Sequence, residues 1–322
     1  MSSGPPWRPP DGMRSPRYGG VRSFMRLPHV TQLDGVDFAV AGVPFDTGAT
    51  YRVGARFGPE AIRSASVLLR PYHPDQEVAL FPTLSGVDYG DLPTVPGYLP
   101  RSHRDIAAAA ETLFRAGVTP IFLGGDHSVS LPLLRAAVSV RDEPLSLLHF
   151  DSHGDIWSGY YGGLDTHGTP FRRALEEGLI DAGQSIQIGL RGSVYDEQDV
   201  QLSRDLGFQV VTARDLHRRG VDEVLQQVQD LLRGRDCYLS FDIDFVDPAF
   251  APGTGTPETG GFSGAVCHEL LRGLRGLHFV AFDMVEVLPA HDPAGVTALL
   301  AANLVYEFIA LLALQKRDGR GA

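Results

Sequence analysis

A chain of 322 residues, 43% hydrophobic and 21% charged, has an ordinary soluble globular composition and is long enough for one large domain. Its formal net charge of -11, with no basic block, argues against nucleic acid as a partner, because affinity for phosphate backbones needs clustered Lys and Arg. Cys237 and Cys267 have neither CxxC spacing nor a nearby His pattern, so a zinc finger or a disulfide framework is not expected.

The N-terminus carries Pro5, Pro6, Pro9 and Pro10 and no apolar core of a secretory signal, so the default expectation is a cytoplasmic protein. Residues 1–20 are rich in Pro, Gly, Ser and Arg and read as a flexible arm, ordered only against a neighbour; residues 21–322 read as a single domain. The run from Phe38 to Val43 is a first strand leading into the loop Pro44-Phe45-Asp46-Thr47-Gly48, and Pro59 opens a helix carrying Ile62 and Arg63. Ser102, with Asp105 three residues on, predicts a capping box in front of the helical stripe Ile106, Ala109, Ala110, Leu113 and Phe114, which Gly117 ends.

From there the alternation is regular. Strands are predicted over 119–123, 145–150, 185–190, 208–212, 237–241 and 279–285, with helices over 131–138, 221–232 and 267–274 between them. Alternating strands and helices imply a parallel sheet covered on both faces, with sites beyond the carboxyl ends of the strands. The apolar segment Thr297 to Leu314, interrupted by Asn303 and Glu307, suits a buried or interface helix better than a membrane span.

Three of those strand ends carry the same chemistry: Asp126-His127, then Asp151, His153 and Asp155, then Asp242 and Asp244. In an extended backbone, side chains two residues apart point to one side, so these groups converge. Carboxylates held a few ångströms apart repel one another unless protons or cations neutralise them. With Asp126 set aside, two imidazoles and four carboxylates make a donor set for two metal ions; oxygen and imidazole without thiolate favour Mn, and Ni, Co or Fe suit the same donors.

The chain resembles the ureohydrolases, the arginase and agmatinase family. The resemblance rests on Gly54-Ala55-Arg56-Phe57-Gly58-Pro59, Gly124-Gly125-Asp126-His127-Ser128, Asp151-Ser152-His153-Gly154-Asp155, His167-Gly168-Thr169-Pro170, Ser240-Phe241-Asp242-Ile243-Asp244 and Met284-Val285-Glu286-Val287, and on residues 247–257. Ser152 stands where the family usually has Ala, and Val53 where Pro is common. The resemblance implies a three-layer α/β/α sandwich around a mainly parallel sheet of about eight strands, arginase-like. It also implies two Mn2+ per subunit, one held by His127, Asp151, Asp155 and Asp242, the other by Asp151, His153, Asp242 and Asp244. Asp155 would also orient the attacking water, His167 would shuttle a proton, and Glu286 would bind the substrate guanidinium beside Thr256.

The implied activity is hydrolysis of a guanidino compound to urea and an amine, by a homo-oligomer, trimer or hexamer, with no nucleic-acid or membrane partner. Trp157 follows the metal residues where arginases make polar contacts to an amino acid, and the loop Arg191-Gly192-Ser193-Val194-Tyr195 lacks carboxylates to grip an α-amino group. Arginine is therefore disfavoured. Agmatine is the leading substrate, with 4-guanidinobutanoate or 3-guanidinopropanoate as alternatives if Arg22, Arg26 or Arg52 supplies a cation. A deacetylase with one zinc on a related fold and a non-catalytic partner subunit are weaker readings, because all six ligand residues are present. His291 and Asp292 read as solvated loop residues.

Overall fold

The computed structural model describes residues 7–319. In chain order the strands are β1 (Phe38–Gly42), β2 (Tyr72–His73), β3 (Val78–Ala79), β4 (Gly86–Asp91), β5 (Thr119–Leu123), β6 (Ser146–Phe150), β7 (Ile186–Leu190), β8 (Gln209–Thr212), β9 (Asp236–Asp242) and β10 (His278–Val285). The helices are α1 (Gly58–Ser66), α2 (Leu80–Thr83), α3 (Leu99–Arg115), α4 (Ser130–Val138), α5 (Pro170–Glu176), α6 (Asp199–Asp205), α7 (Ala213–Arg219), α8 (Val221–Leu232), α9 (Gly264–Gly273) and α10 (Val296–Arg317). Eight strands form one sheet in the order β4-β1-β5-β10-β9-β6-β7-β8, every neighbouring pair parallel, while β2 and β3 form a separate antiparallel hairpin.

Side-chain alternation along the strands feeds two cores. On one face Val40, Ile121, Leu148, Leu239 and Phe282 pack with α1, α8, α9 and α10; on the other Ala41, Phe122, Leu147, Tyr238 and Val285 pack with α3, α4 and α5. Buried on both faces, these strands read as unbroken apolar runs rather than alternating ones. The result is the three-layer α/β/α sandwich.

One expectation changes. The helix around Ile106 starts at Leu99, with Tyr98 as its N-cap and no side-chain cap, so there is no capping box at Ser102. Pro100 sits in the first turn, where its missing N–H costs nothing, and the Ser102 hydroxyl instead bonds the backbone of Val95 in both directions. Residues 7–20 touch their own chain: Trp7 exchanges hydrogen bonds with Ser85, Gly86 and Asp34, and Arg26 donates to carbonyls of Pro10, Ser15 and Pro16. Residues 1–6 of the expected arm lie outside the described residues.

Helix α10 is apolar on all sides and long enough to cross a membrane, yet 72% of its most apolar stretch is buried within this chain. Its buried charge is Glu307, whose carboxylate accepts from His73 Nε2 at 2.8 Å, His268 Nδ1 at 2.8 Å and Arg272 Nε at 2.9 Å. Burial opposes that charge, but the three partners prevail and hold Glu307 at about 2 against an ordinary 4.5. A lowered carboxyl stabilises the fold fully above the unfolded value and less as pH falls through the folded one, here a contribution of about 3 kcal/mol lost between pH 4.5 and 2. Glu307→Gln should therefore be less stable at neutral pH and lose less on acidification. Urea unfolding at pH 7, 4.5 and 3 checks this; parallel losses in the two proteins would refute the assignment.

Candidate active site

The four central strands β5, β10, β9 and β6 are consecutive neighbours, and their carboxyl ends bring the polar residues to one place. Three of these ends turn alike, with a carboxylate accepting the backbone N–H two residues on. Asp126 Oδ1 takes Ser128 N at 3.0 Å, Asp151 Oδ1 takes His153 N at 2.6 Å and Asp242 Oδ1 takes Asp244 N at 2.8 Å. These Asx turns, not an extended backbone, make the groups converge. β6 stops at Phe150, Asp244 lies in the 3-10 turn Ile243–Phe245, and Asp155 sits at φ +52°. The expectation of simple side-to-side alternation is corrected accordingly.

All six expected ligand residues meet. His127 Nδ1 lies 3.1 Å from Asp151 Oδ2, 2.9 Å from Asp155 Oδ2 and 3.2 Å from Asp242 Oδ2. His153 Nδ1 lies 3.0 Å from Asp244 Oδ2 and 3.5 Å from Asp151 Oδ1. Asp151 thus turns one oxygen to each imidazole.

The His127 ring tests whether this basin suits cations. Its Nε2 lies 2.8 Å from Ser240 Oγ, and that hydroxyl gives its own hydrogen to Asp283 Oδ1 at 2.6 Å. Ser240 must therefore accept, His127 carries a hydrogen on Nε2, and in the neutral ring the Nδ1 lone pair faces three carboxylates. Asp283 is held for this task by the hydroxyls of Ser130 at 2.6 Å and Tyr238 at 2.7 Å. Nδ1 is fully buried and completes a hydrogen bond with none of its three neighbours. A lone pair among carboxylate oxygens is repulsive until a cation sits between them, so the donor set fits divalent metal ions.

The charge balance agrees. Burial and the neighbouring charges of Asp244 and Asp151 push the Asp242 carboxyl well above its usual range, and burial and Asp151 raise Asp244. Burial opposes a charge on His127 and His153, yet the surrounding carboxylates lift both rings well above the ordinary value. The basin draws positive charge from whatever source is present.

Glu286, at the end of β10, is buried and faces the same basin. Its Oε1 accepts His127 N at 2.9 Å and His167 Nδ1 at 3.2 Å. In the neutral ring Thr50 N donates to His167 Nε2 at 3.2 Å and the ring hydrogen sits on Nδ1, toward Glu286; in the protonated ring Nε2 gives its hydrogen to Thr50 Oγ1 at 2.7 Å. Burial lowers His167, but the Glu286 carboxylate outweighs it and raises the imidazole to about 9. Asp155 at φ +52° and Glu286 at φ +61° are both in the left-handed region, a strain of about 1–3 kcal/mol each that packing imposes on these two positions. Gly125 has a local reason too: the Phe45 backbone passes through the space a Cβ would need.

A family model described as the arginase family matches residues 36–311. The chain belongs to the arginase family. It is 42% identical to guanidinobutyrase of Pseudomonas aeruginosa over 308 residues, covering 95% of this chain and 96% of that protein. It is 42% identical to mitochondrial agmatinase of Gallus gallus over 304 residues, covering 94% and 88%. The solved proclavaminate amidino hydrolase of Streptomyces clavuligerus superposes with a TM-score of 0.89 at 39% identity, covering 93% of this chain and 99% of that one. The protein is a hydrolase of the ureohydrolase type, acting on C–N bonds of amidines.

Above the six candidate ligand residues of this arginase-family chain a pocket of about 540 Å3 opens, lined by Tyr51, Arg52, Trp157, Tyr160, His167, Tyr195, Thr256 and Glu258. That is room for a small guanidino compound. Trp157 donates Nε1–H to Asp199 at 3.2 Å, and Asp199 also accepts Tyr195 N at 3.1 Å, so one carboxylate ties two aromatic residues of the wall together. Thr256 Oγ1 lies 3.5 Å from Asp244 Oδ2. Arg191 turns inward, its guanidinium donating to the carbonyls of Asp244 and Glu258, and is spent on holding those loops. Ser152, the departure from the usual Ala, donates Oγ–H to Asp244 Oδ1 at 2.7 Å.

Asp292 is not solvated: it is buried and accepts Ala298 N at 2.9 Å in the first turn of α10. Sequence reasoning missed Ser240, Asp283, His149 and Gln187. His149 had a signal, since it continues the every-other-residue series 149, 151, 153, 155; the others are recognisable only across strands.

Proposed function

We propose that this chain is a dinuclear manganese amidinohydrolase that converts agmatine to putrescine and urea. The observation that carries the reading is Asp151, whose two oxygens reach toward two separate imidazole–carboxylate groups in one buried basin. One ion would be held by His127, Asp151, Asp155 and Asp242, the second by Asp151, His153, Asp242 and Asp244. When bound, two divalent cations supply Lewis-acid activation of water at neutral pH. Mn suits these hard oxygen and imidazole donors, as do Ni, Co and Fe.

The side chains do the remainder. Glu286 pairs with the substrate guanidinium and fixes its central carbon over the basin. Asp155 accepts a hydrogen from the attacking water and aims it. His167, protonated at neutral pH, delivers a proton to the departing amine, without which the C–N bond does not break. Trp157 and Thr256 shape the wall along the tail.

For the far end of the substrate, the aromatic faces of Trp157, Tyr160 and Tyr195 together with Glu258 favour a cationic tail such as that of agmatine. The second reading, a guanidino-acid hydrolase acting on 4-guanidinobutanoate or 3-guanidinopropanoate, is favoured by Arg52 on the same wall and by the guanidinobutyrase likeness. Urea release from all three compounds by Mn-loaded enzyme discriminates the two. Agmatine should lead by about tenfold or more in kcat/KM, some 1.4 kcal/mol, and Arg52→Met should leave that lead intact. An acid turned over better, with the preference lost in Arg52→Met, establishes the second reading; no urea from any of the three sinks both.

We also infer a homo-oligomer, trimer or hexamer, working in the cytoplasm. Exposed Tyr161, Leu164 and Tyr195 give such an assembly apolar surface to cover, and the two buried free thiols suit a reducing compartment. Light scattering on the purified protein measures the subunit number.

A further inference from the structure

We propose that Gln187 and His149 form a positioning relay for Asp151, and that His149 is not itself a metal ligand. The inference rests on the dinuclear reading above. His149 is completely buried on β6, and ligand atoms of His127, His149 and Asp151 all lie within 4.8 Å of one another. Spacing alone would make His149 a further donor. The hydrogen bonds decide otherwise.

Gln187 stands opposite His149 on the neighbouring strand β7. Its amide lies 2.6 Å from the carbonyl oxygen of Gly154, which can only accept, so the atom there is the amide nitrogen. The same NH2 group lies 3.0 Å from His149 Nδ1. A ring nitrogen that accepts carries no hydrogen, so the neutral His149 ring has its hydrogen on Nε2. Nε2–H then donates to Asp151 Oδ2 at 2.8 Å. A ring nitrogen bearing hydrogen has no lone pair for a metal, and the other one is occupied by Gln187. The ring cannot turn freely, because Phe171 packs on it with centroids 4.4 Å apart. Reversing the amide would set Gln187 Oε1 against the Gly154 carbonyl, which explains why Oε1 remains the buried atom without a partner.

The consequence falls on Asp151. Its two oxygens offer about four lone-pair directions. One on Oδ1 is filled by His153 N and one on Oδ2 by His149 Nε2, leaving one on each oxygen for an ion on either side. The relay thereby reserves Asp151 for bridging, and it does so through Gly154 as well, since the same amide pins the backbone between His153 and Asp155.

The test titrates Mn into the metal-free full-length wild type, His149→Phe and Gln187→Met by calorimetry, with metal content at saturation, metal-free melting temperatures and kinetics at limiting and saturating Mn alongside. Both variants should still take up two ions per chain, bind at least one of them about 10- to 100-fold more weakly, and recover kcat at saturating Mn with KM unchanged. A His149→Phe chain that saturates at one ion overturns the relay by making His149 a ligand. Wild-type Mn affinity in a folded Gln187→Met overturns it by reducing the pair to core packing, and this variant answers even if His149→Phe does not fold. A wild type that binds fewer than two ions sinks the dinuclear reading, and the relay with it, a result distinct from either of the others.

Discussion

Asp242→Asn should abolish turnover and yet raise the melting temperature of the metal-free protein. On the dinuclear reading Asp242 would be shared between two ions, so its loss would remove charge that both depend on, and a decrease in kcat/KM of roughly 10^3- to 10^5-fold is expected, about 4–7 kcal/mol. Stability runs the other way. Burial first, and then the charges of Asp244 and Asp151, push the Asp242 carboxyl well up, so ionising it at neutral pH works against the fold when no cation is bound. An asparagine keeps the oxygen that accepts Asp244 N at 2.8 Å and takes one negative charge out of the basin. Mn should then raise the melting temperature of the wild type far more than that of the variant, because only the wild type retains tight binding. Differential scanning fluorimetry with chelator and with Mn measures both halves. A metal-free variant that melts below the wild type would show that the basin is not under charge strain.

Glu286→Gln should cost about 2–5 kcal/mol of transition-state binding, roughly 30- to 5000-fold in kcat/KM, while leaving Mn uptake unchanged. The carboxylate is buried, within reach of His127 N and His167 Nδ1, and placed over the basin where a guanidinium would sit. The glutamine keeps side-chain length and the φ +61° backbone but removes the charge. A second effect separates this role from simple disruption. Burial lowers His167 and the Glu286 carboxylate raises it to about 9, so removing that carboxylate moves His167 downward and shifts the alkaline limb of the pH–rate profile toward lower pH. Steady-state kinetics from pH 6 to 10 read both. A variant with near-normal kcat/KM and an unmoved alkaline limb would remove Glu286 from substrate binding.

Much of the fold was legible because its signals are local. Strand β5 and helix α8 have the bounds their apolar runs predict, and the apolar runs between Gly, Pro and charged turns give the β–α alternation. Strand β4 escaped notice because Asp88, Gly90 and Asp91 interrupt its apolar residues; it is an edge strand whose Asp88 is neutralised by Arg63 from α1, a contact between residues 25 apart. The start of α3 was misplaced because a Ser-x-x-Asp spacing is satisfied as well inside a helix as at its cap, and only packing against Val95 distinguishes the two.

For the site, residue types and spacing singled out the candidate donors, two imidazoles and four carboxylates within residues 127–155 and 242–244, and the family resemblance added Glu286. What only the tertiary structure decided is how those donors face one another. The last strand, β10, inserts between β5 and β9, which brings Glu286 to His127 across 159 positions of sequence. Strand register sets Gln187 beside His149, and the β9–β10 pairing brings Ser240 and Asp283 together, and these pairs choose which ring nitrogen carries hydrogen. The reason is physical. Composition and periodicity act over a few residues, whereas a tautomer, a strained φ or a shared carboxylate depends on atoms supplied by chain segments that only the closed sheet makes neighbours.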